Sequence, residues 1–219
     1  AINAPISLLH VMIQLDEYYS SPLAWSADER RKRMENTLMK VVELAQGDLT
    51  PEMKLPFSEV EAKYLIGLKF RLDLRDVIYC SQRRNNLGVL KADLTSSDRG
   101  PAYDEIMNYS YMEYLRDFVA PYYSKHHDPP IDIEELFRRS DLRTLEDRLV
   151  NIDKIYYFLN QNDFIMTAEQ IYWIRNVFGP GHVTLFEHGG HLGNLYRPDV
   201  PKKIVSVLPP LDKTGDDEK

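Results

Sequence analysis

The stretch Lys154-Ile-Tyr-Tyr-Phe-Leu-Asn160-Gln-Asn-Asp163, followed by Thr167-Ala-Glu-Gln170, Val183-Thr-Leu-Phe-Glu187 and His188-Gly-Gly-His191-Leu-Gly-Asn194, decides how this chain is read. Its first block is a short apolar, β-branched and aromatic run, the composition of a strand buried on both faces in a parallel sheet. A polar turn ends it. Thr167 and Gln170 have the spacing of a capping box, so a helix is expected to start there. Ile171, Ile174 and Phe178 or Val177 recur at helical spacing, and Gly179-Pro180-Gly181 cannot continue a helix. Val183 to Glu187 is then the next strand.

Strand, helix and strand in this length make one βαβ unit, with Asp163 and His191 just past the carboxyl ends of neighbouring parallel strands. Open α/β sheets collect their functional groups in the crevice beyond those ends. The two residues are 28 positions apart, which is what one short helix and one strand require. A carboxylate on Nδ1 of an imidazole fixes its tautomer and leaves Nε2 as a general base.

On these residues the region resembles the end of an α/β-hydrolase. Asp163, in the Asn-Gln-Asn-Asp-Phe turn, matches the family's catalytic-triad acid, and His191, in Gly-Gly-His-Leu-Gly, matches its base. Asp199 to Leu208 resembles the family's last helix, and Ala1-Ile-Asn-Ala-Pro5 the turn after the strand that follows the nucleophile helix. The family's order is nucleophile, acid, base. No Gly-x-Ser-x-Gly and no glycine-rich oxyanion loop occurs here. The resemblance therefore implies the carboxyl-terminal part of a serine hydrolase, esterase- or lipase-like, cleaving an ester, amide or thioester through an acyl-enzyme. Its nucleophile is expected on the missing amino-terminal half of the fold, and its partner there is a small-molecule or acyl substrate. No cofactor is implied.

Alternative residues exist for both roles. His188 competes with His191, but the two glycines before His191 give the tight turn that swings a side chain back over the sheet. Asp153 and Glu187 are alternative acids, placed at a strand start or within a strand. His10 and His182 are expected to pack or face solvent.

Upstream, helices succeed one another. One is expected from about Pro5 to Tyr19 on a stripe of Ile6, Leu9, Met12 and Ile13, broken at Ser20-Ser-Pro22. A capping box at Ser26 and Glu29 opens a second, to about Gln46, with Met34, Leu38, Val41, Val42 and Ala45 as its apolar face and Arg30 to Arg33 solvated. Turns are read at Thr50-Pro51 and Leu55-Pro56. Ser58 and Glu61 open a third helix to about Tyr79, with Leu65, Leu68, Leu72 and Ile78 inward and Cys80 packed at its end. The loop from Arg83 to Pro101 holds a weak element at Val89 to Leu94, and another helix runs from Tyr103 to Tyr123, stopped by Pro121. Short helices are read at Ile131 to Phe137 and Leu142 to Leu149.

The fold class is thus α/β: a helix-rich cap over 5–150, the last strands and helices of an α/β-hydrolase sheet over 151–212, and a mobile polar tail over 213–219. A helical cap supplies an apolar pocket and excludes water, and Tyr18, Tyr19, Trp25, Tyr109, Tyr111 and Tyr114 are candidates to line it, with core packing the default. The alternative function is a noncatalytic module whose helices bind a partner protein or a hydrophobic ligand; a mostly helical interaction protein comes third.

Composition narrows the classes. Among 219 residues, 43% are hydrophobic, and 27 basic against 34 acidic residues give a formal charge of −7, which argues against nucleic acid as the main partner. No run reaches the ~18 to 20 apolar residues of a membrane span, and one cysteine makes no internal disulfide. His126, His127 and Asp128 are metal-capable types, but adjacent positions point differently, so no metal site is read there. Localisation is not readable from these residues.

Overall fold

The computed structural model describes residues 1–47, 54–95, 97–150 and 152–208. The turn expected at Thr50-Pro51 and the polar tail over 213–219 lie outside them. The described fold is mixed α/β, mostly helical, with a small two-stranded parallel sheet. Its helices are α1 (Leu8–Ser20), α2 (Ala27–Ala45), α3 (Glu59–Arg84), α4 (Gly100–Ile106), α5 (Tyr111–Tyr114), α6 (Ala120–His126), α7 (Ile133–Arg139), α8 (Glu146–Leu149), α9 (Ala168–Phe178) and α10 (Asp199–Val205). The strands are β1 (Tyr157–Asn160) and β2 (Val183–Phe186). The chain divides into two compact units, one of Ala1–Leu8 with the chain from Arg139 onward, the other of Leu9–Arg138.

In the first unit β1 and β2 run parallel, Tyr157 opposite Val183 and Asn160 opposite Phe186. On the other edge of β1, Ile2 makes a parallel bridge with Phe158. Asn3 N–H donates to Phe158 O at 2.8 Å and Phe158 N–H donates to Ala1 O at 2.9 Å. The strand thus has partners on both sides, and all four of its residues are buried, which is why an apolar run without alternation folds here. The capping box at Thr167 forms as expected, and α9 ends at Gly179, whose φ is +75°. Ile6, the most buried residue of the amino-terminal stripe, precedes α1 rather than lying in it. Ser7 instead bridges Asp141 antiparallel.

The second unit is organised on α3. Ser26 and Ser58 form their capping boxes, and so does Ser110 with Glu113, which breaks the expected Tyr103–Tyr123 helix at residues 107–110. Pro121 does not stop the chain from continuing as a helix. Residues Leu115–Val119 widen into a π-helical turn, with Ala120 N–H donating to Leu115 O, and Pro121 follows at once in the first turn of α6, where the widened bonding makes room for its ring.

Leu74, Ile78 and Tyr79 of α3 pack with Ala102, Ile106 and Phe118 as one apolar cluster. Gly67 marks a close crossing: a Cβ there would collide with the backbone of Tyr18 and Tyr19. The α3 stripe also buries charge. Glu61 takes bonds from Lys40 Nζ at 2.8 Å, Thr37 Oγ1 at 3.0 Å and Ser58 N–H at 2.7 Å. Arg71 donates to Asp16 at 2.7 Å, and Asp16 also accepts the Tyr111 N–H at 3.0 Å.

Two expectations are corrected by these contacts. The predicted apolar face of α2 is largely exposed, with Leu38, Val41 and Val42 turned out, because the bonds of Thr37 and Lys40 to Glu61 set the rotation of that helix. Cys80 is exposed rather than packed, since α3 runs on to Arg84 and presents it to solvent.

Candidate active site

The polar turn after β1 places Asp163. Its N–H donates to Asn160 O at 3.1 Å, and its Oδ1 accepts the Ile165 N–H at 3.1 Å. These two bonds fix the carboxylate, whose side chain is wholly buried. The other oxygen, Oδ2, lies 3.1 Å from His191 Nδ1. A carboxylate only accepts, so Nδ1 carries the hydrogen and Nε2 presents its lone pair. The ring is 29% exposed, and no described residue bonds Nε2. The Phe164 ring stands edge-on to it at 5.8 Å.

The turn that carries His191 is held by four asparagines. Asn162 Oδ1 accepts the N–H groups of Gly189 and Gly190, at 3.0 and 2.9 Å. Gly190 O in turn accepts from Asn3 Nδ2 at 3.0 Å and Asn160 Nδ2 at 2.8 Å. Asn160 and Asn194 exchange side-chain bonds at 3.2 and 2.6 Å. Asn3, Asn160 and Asn194 are all buried, so their amides need this mutual satisfaction. Shape requires the glycine at Gly189 and favours the one at Gly190. At Gly189 a Cβ would lie 2.6 Å from Asn194 Cγ and 2.7 Å from Asn160 Cγ, and φ there is +154°; at Gly190 φ is +52°.

The remaining candidates fall elsewhere. His188 is exposed and lies 3.7 Å from the equally exposed Glu187. Asp153 is exposed in the turn ahead of β1. His182 stacks on Tyr156 at 4.7 Å with Nδ1 against Ile155 O. Of the residues named from sequence, Asp163 and His191 are the pair brought together. The asparagine clamp is not among the residues that sequence reasoning singles out, although Asn160 closing an otherwise apolar strand is the signal of a buried amide that must find partners.

A base with a fixed tautomer, a buried orienting carboxylate and an open Nε2 is able to take and return a proton at that nitrogen. Among the described residues, no group of three His, Cys, Asp or Glu side chains could hold a metal ion, and no helix is long and apolar enough to cross a membrane. No protein-family model, curated protein or solved structure matches this chain.

Proposed function

We propose that this chain is the carboxyl-terminal part of a serine hydrolase of the α/β-hydrolase type, with Asp163 as the acid and His191 as the base of its catalytic triad. The observation that carries the reading is the 3.1 Å contact of Asp163 Oδ2 with His191 Nδ1, made by turns at the carboxyl ends of adjacent parallel strands. Ile2 beside Phe158 adds support, because that edge of β1 is where the strand after the nucleophile helix belongs in such a fold. The helices of Leu9–Arg138 occupy the sequence position of a cap.

In this reading a serine hydroxyl on the amino-terminal half of the fold gives its proton to His191 Nε2 as its oxygen attacks the carbonyl of an ester, amide or thioester. The imidazolium is stabilised by Asp163 and returns the proton to the leaving group. Water, activated at the same nitrogen, then releases the acyl group. Asp163, anchored by the Ile165 N–H, keeps the proton on Nδ1 and the ring in one orientation throughout.

The test uses the gene product with the residues preceding Ala1. Wild type is expected to react with a fluorophosphonate probe and to hydrolyse p-nitrophenyl esters, and His191→Ala is expected to lose both. Undiminished turnover in His191→Ala rejects the assignment.

A further inference from the structure

The helical unit contains a cavity of about 640 Å³, within the size range of small-molecule sites. One wall is the end of α3, with Gln82, Arg84 and, just past it, Asn85. The facing wall runs from α5 through the π-helical turn into α6, with Tyr114, Phe118 and Tyr122. The aromatic wall is built from neighbouring rings. The Tyr114 and Phe118 rings lie 6.1 Å apart, and Tyr122 stacks on His126 at 4.3 Å, whose Nδ1 sits 2.7 Å from Tyr122 O.

The polar groups facing these rings include the donors of Arg84 and Gln82. Among the described residues no Asp or Glu lines the cavity. Arg71, Arg75, Arg116, Arg138, Arg143 and Arg197 each pair with a carboxylate; among the described residues no carboxylate pairs with Arg84. Gln82 is 3% exposed. Its Oε1 is committed to the Leu87 N–H at 2.9 Å, while Nε2 has only a 3.5 Å contact with Ser81 Oγ, longer than a good bond. A buried amide with donor capacity to spare beside a guanidinium that no described carboxylate pairs fits an anion, and the facing rings fit an apolar body.

We infer that this cavity binds a small apolar carboxylate, its body against Tyr114, Phe118 and Tyr122 and its charge at Arg84 and the Gln82 amide. This inference does not rest on Asp163 and His191. It is tested on the whole chain by calorimetric titration with 4-phenylbutyrate, with octanoate and with the neutral 4-phenylbutanol. Both carboxylates are expected to saturate one site and to bind more tightly than the alcohol. Tighter 4-phenylbutyrate assigns an aryl ligand, and tighter octanoate an acyl one. Arg84→Gln should weaken the carboxylates about tenfold and leave the alcohol unchanged. Arg84 is exposed, so the variant keeps the fold, which circular dichroism checks. Tyr122→Ala should weaken all three. No saturable binding of either carboxylate, or wild-type affinity in Arg84→Gln, overturns the proposal.

Discussion

Asp163 and Glu61 are both buried carboxylates, 4% and 8% exposed, and they differ in what surrounds them. Glu61 sits in a closed set: an ammonium, a hydroxyl and a backbone N–H all point at it and have their own places in the fold. Asp163 is bonded on one oxygen by the backbone and on the other by an imidazole whose far nitrogen is open. The electrostatic energy of a closed set goes into joining α2 to α3. That of an open set goes into orienting a group that can still exchange a proton. Substitutions should therefore register in different measurements: at Glu61 in stability, at Asp163 and His191 in turnover.

The largest expected effect tests the open half of that contrast. On the proposed hydrolase reading, His191→Ala and Asp163→Asn should each lower kcat by about 10³- to 10⁴-fold in ester hydrolysis. His191→Ala removes the partner of the buried Asp163 Oδ2, but the ring is 29% exposed, so water entering its place limits the loss in urea unfolding to about 1 kcal/mol. A large stability loss with turnover retained would make the pair another closed, structural set.

Next comes the closed half, through pH. Burial pulls the Glu61 carboxyl upward, but the bonds from Lys40, Ser58 and Thr37 outweigh it and hold the group at about 2, below the ordinary 4.5. A carboxyl with a depressed folded value binds fewer protons folded than unfolded. Its contribution is therefore complete above about 4.5 and drains away as pH falls through about 2. The whole contribution is at most about 3 kcal/mol, reduced by solvent screening of Lys40, whose side chain is 32% exposed. Urea titrations from pH 6 to pH 2 should show that loss in wild type and much less of it in Glu61→Gln. An identical pH slope in the two proteins would remove Glu61 from the account.

The asparagine clamp lies between the two cases, since it is closed in its bonding and yet holds the open imidazole in place. Asn160→Ala removes the reciprocal pair with Asn194 and one of the two donors to Gly190 O, leaving a buried amide short of partners. A loss of about 2 kcal/mol in urea unfolding is expected, together with a fall in turnover as the turn loosens. If turnover alone changed, the clamp would be a positioning device with no part in stability.

Much of this is legible in the sequence because the signals are local. Capping boxes at Ser26, Ser58 and Thr167, the apolar run of β1 and Gly179 after α9 each act within a few residues, and the spacing from Asp163 to His191 comes from one helix and one strand. The clamp is not legible, because Asn3 meets Gly190 across 187 residues of sequence. Helical periodicity misassigns the inward face of α2 because it ranks faces by hydrophobicity, whereas Thr37 and Lys40 orient that helix by their bonds to Glu61. Pro121 misleads for a related reason: a stop rule presumes an α-helix, and one π-helical turn absorbs the ring.

The smallest effect belongs to Leu192, which comes after His191 with φ +64° and a side chain 39% exposed. A left-handed backbone costs a non-glycine residue about 1 to 2 kcal/mol, while glycine costs roughly 0.5 to 1 kcal/mol in conformational entropy. Leu192→Gly should thus gain less than about 1 kcal/mol in urea unfolding. It should also lower turnover several-fold, because the position next to the base would then be free to leave the conformation that turns His191 toward Asp163. Stability lost rather than gained would show that the leucine side chain, and not the asparagine amides alone, holds the turn, moving the boundary between the open and closed parts of the site one residue further along the chain.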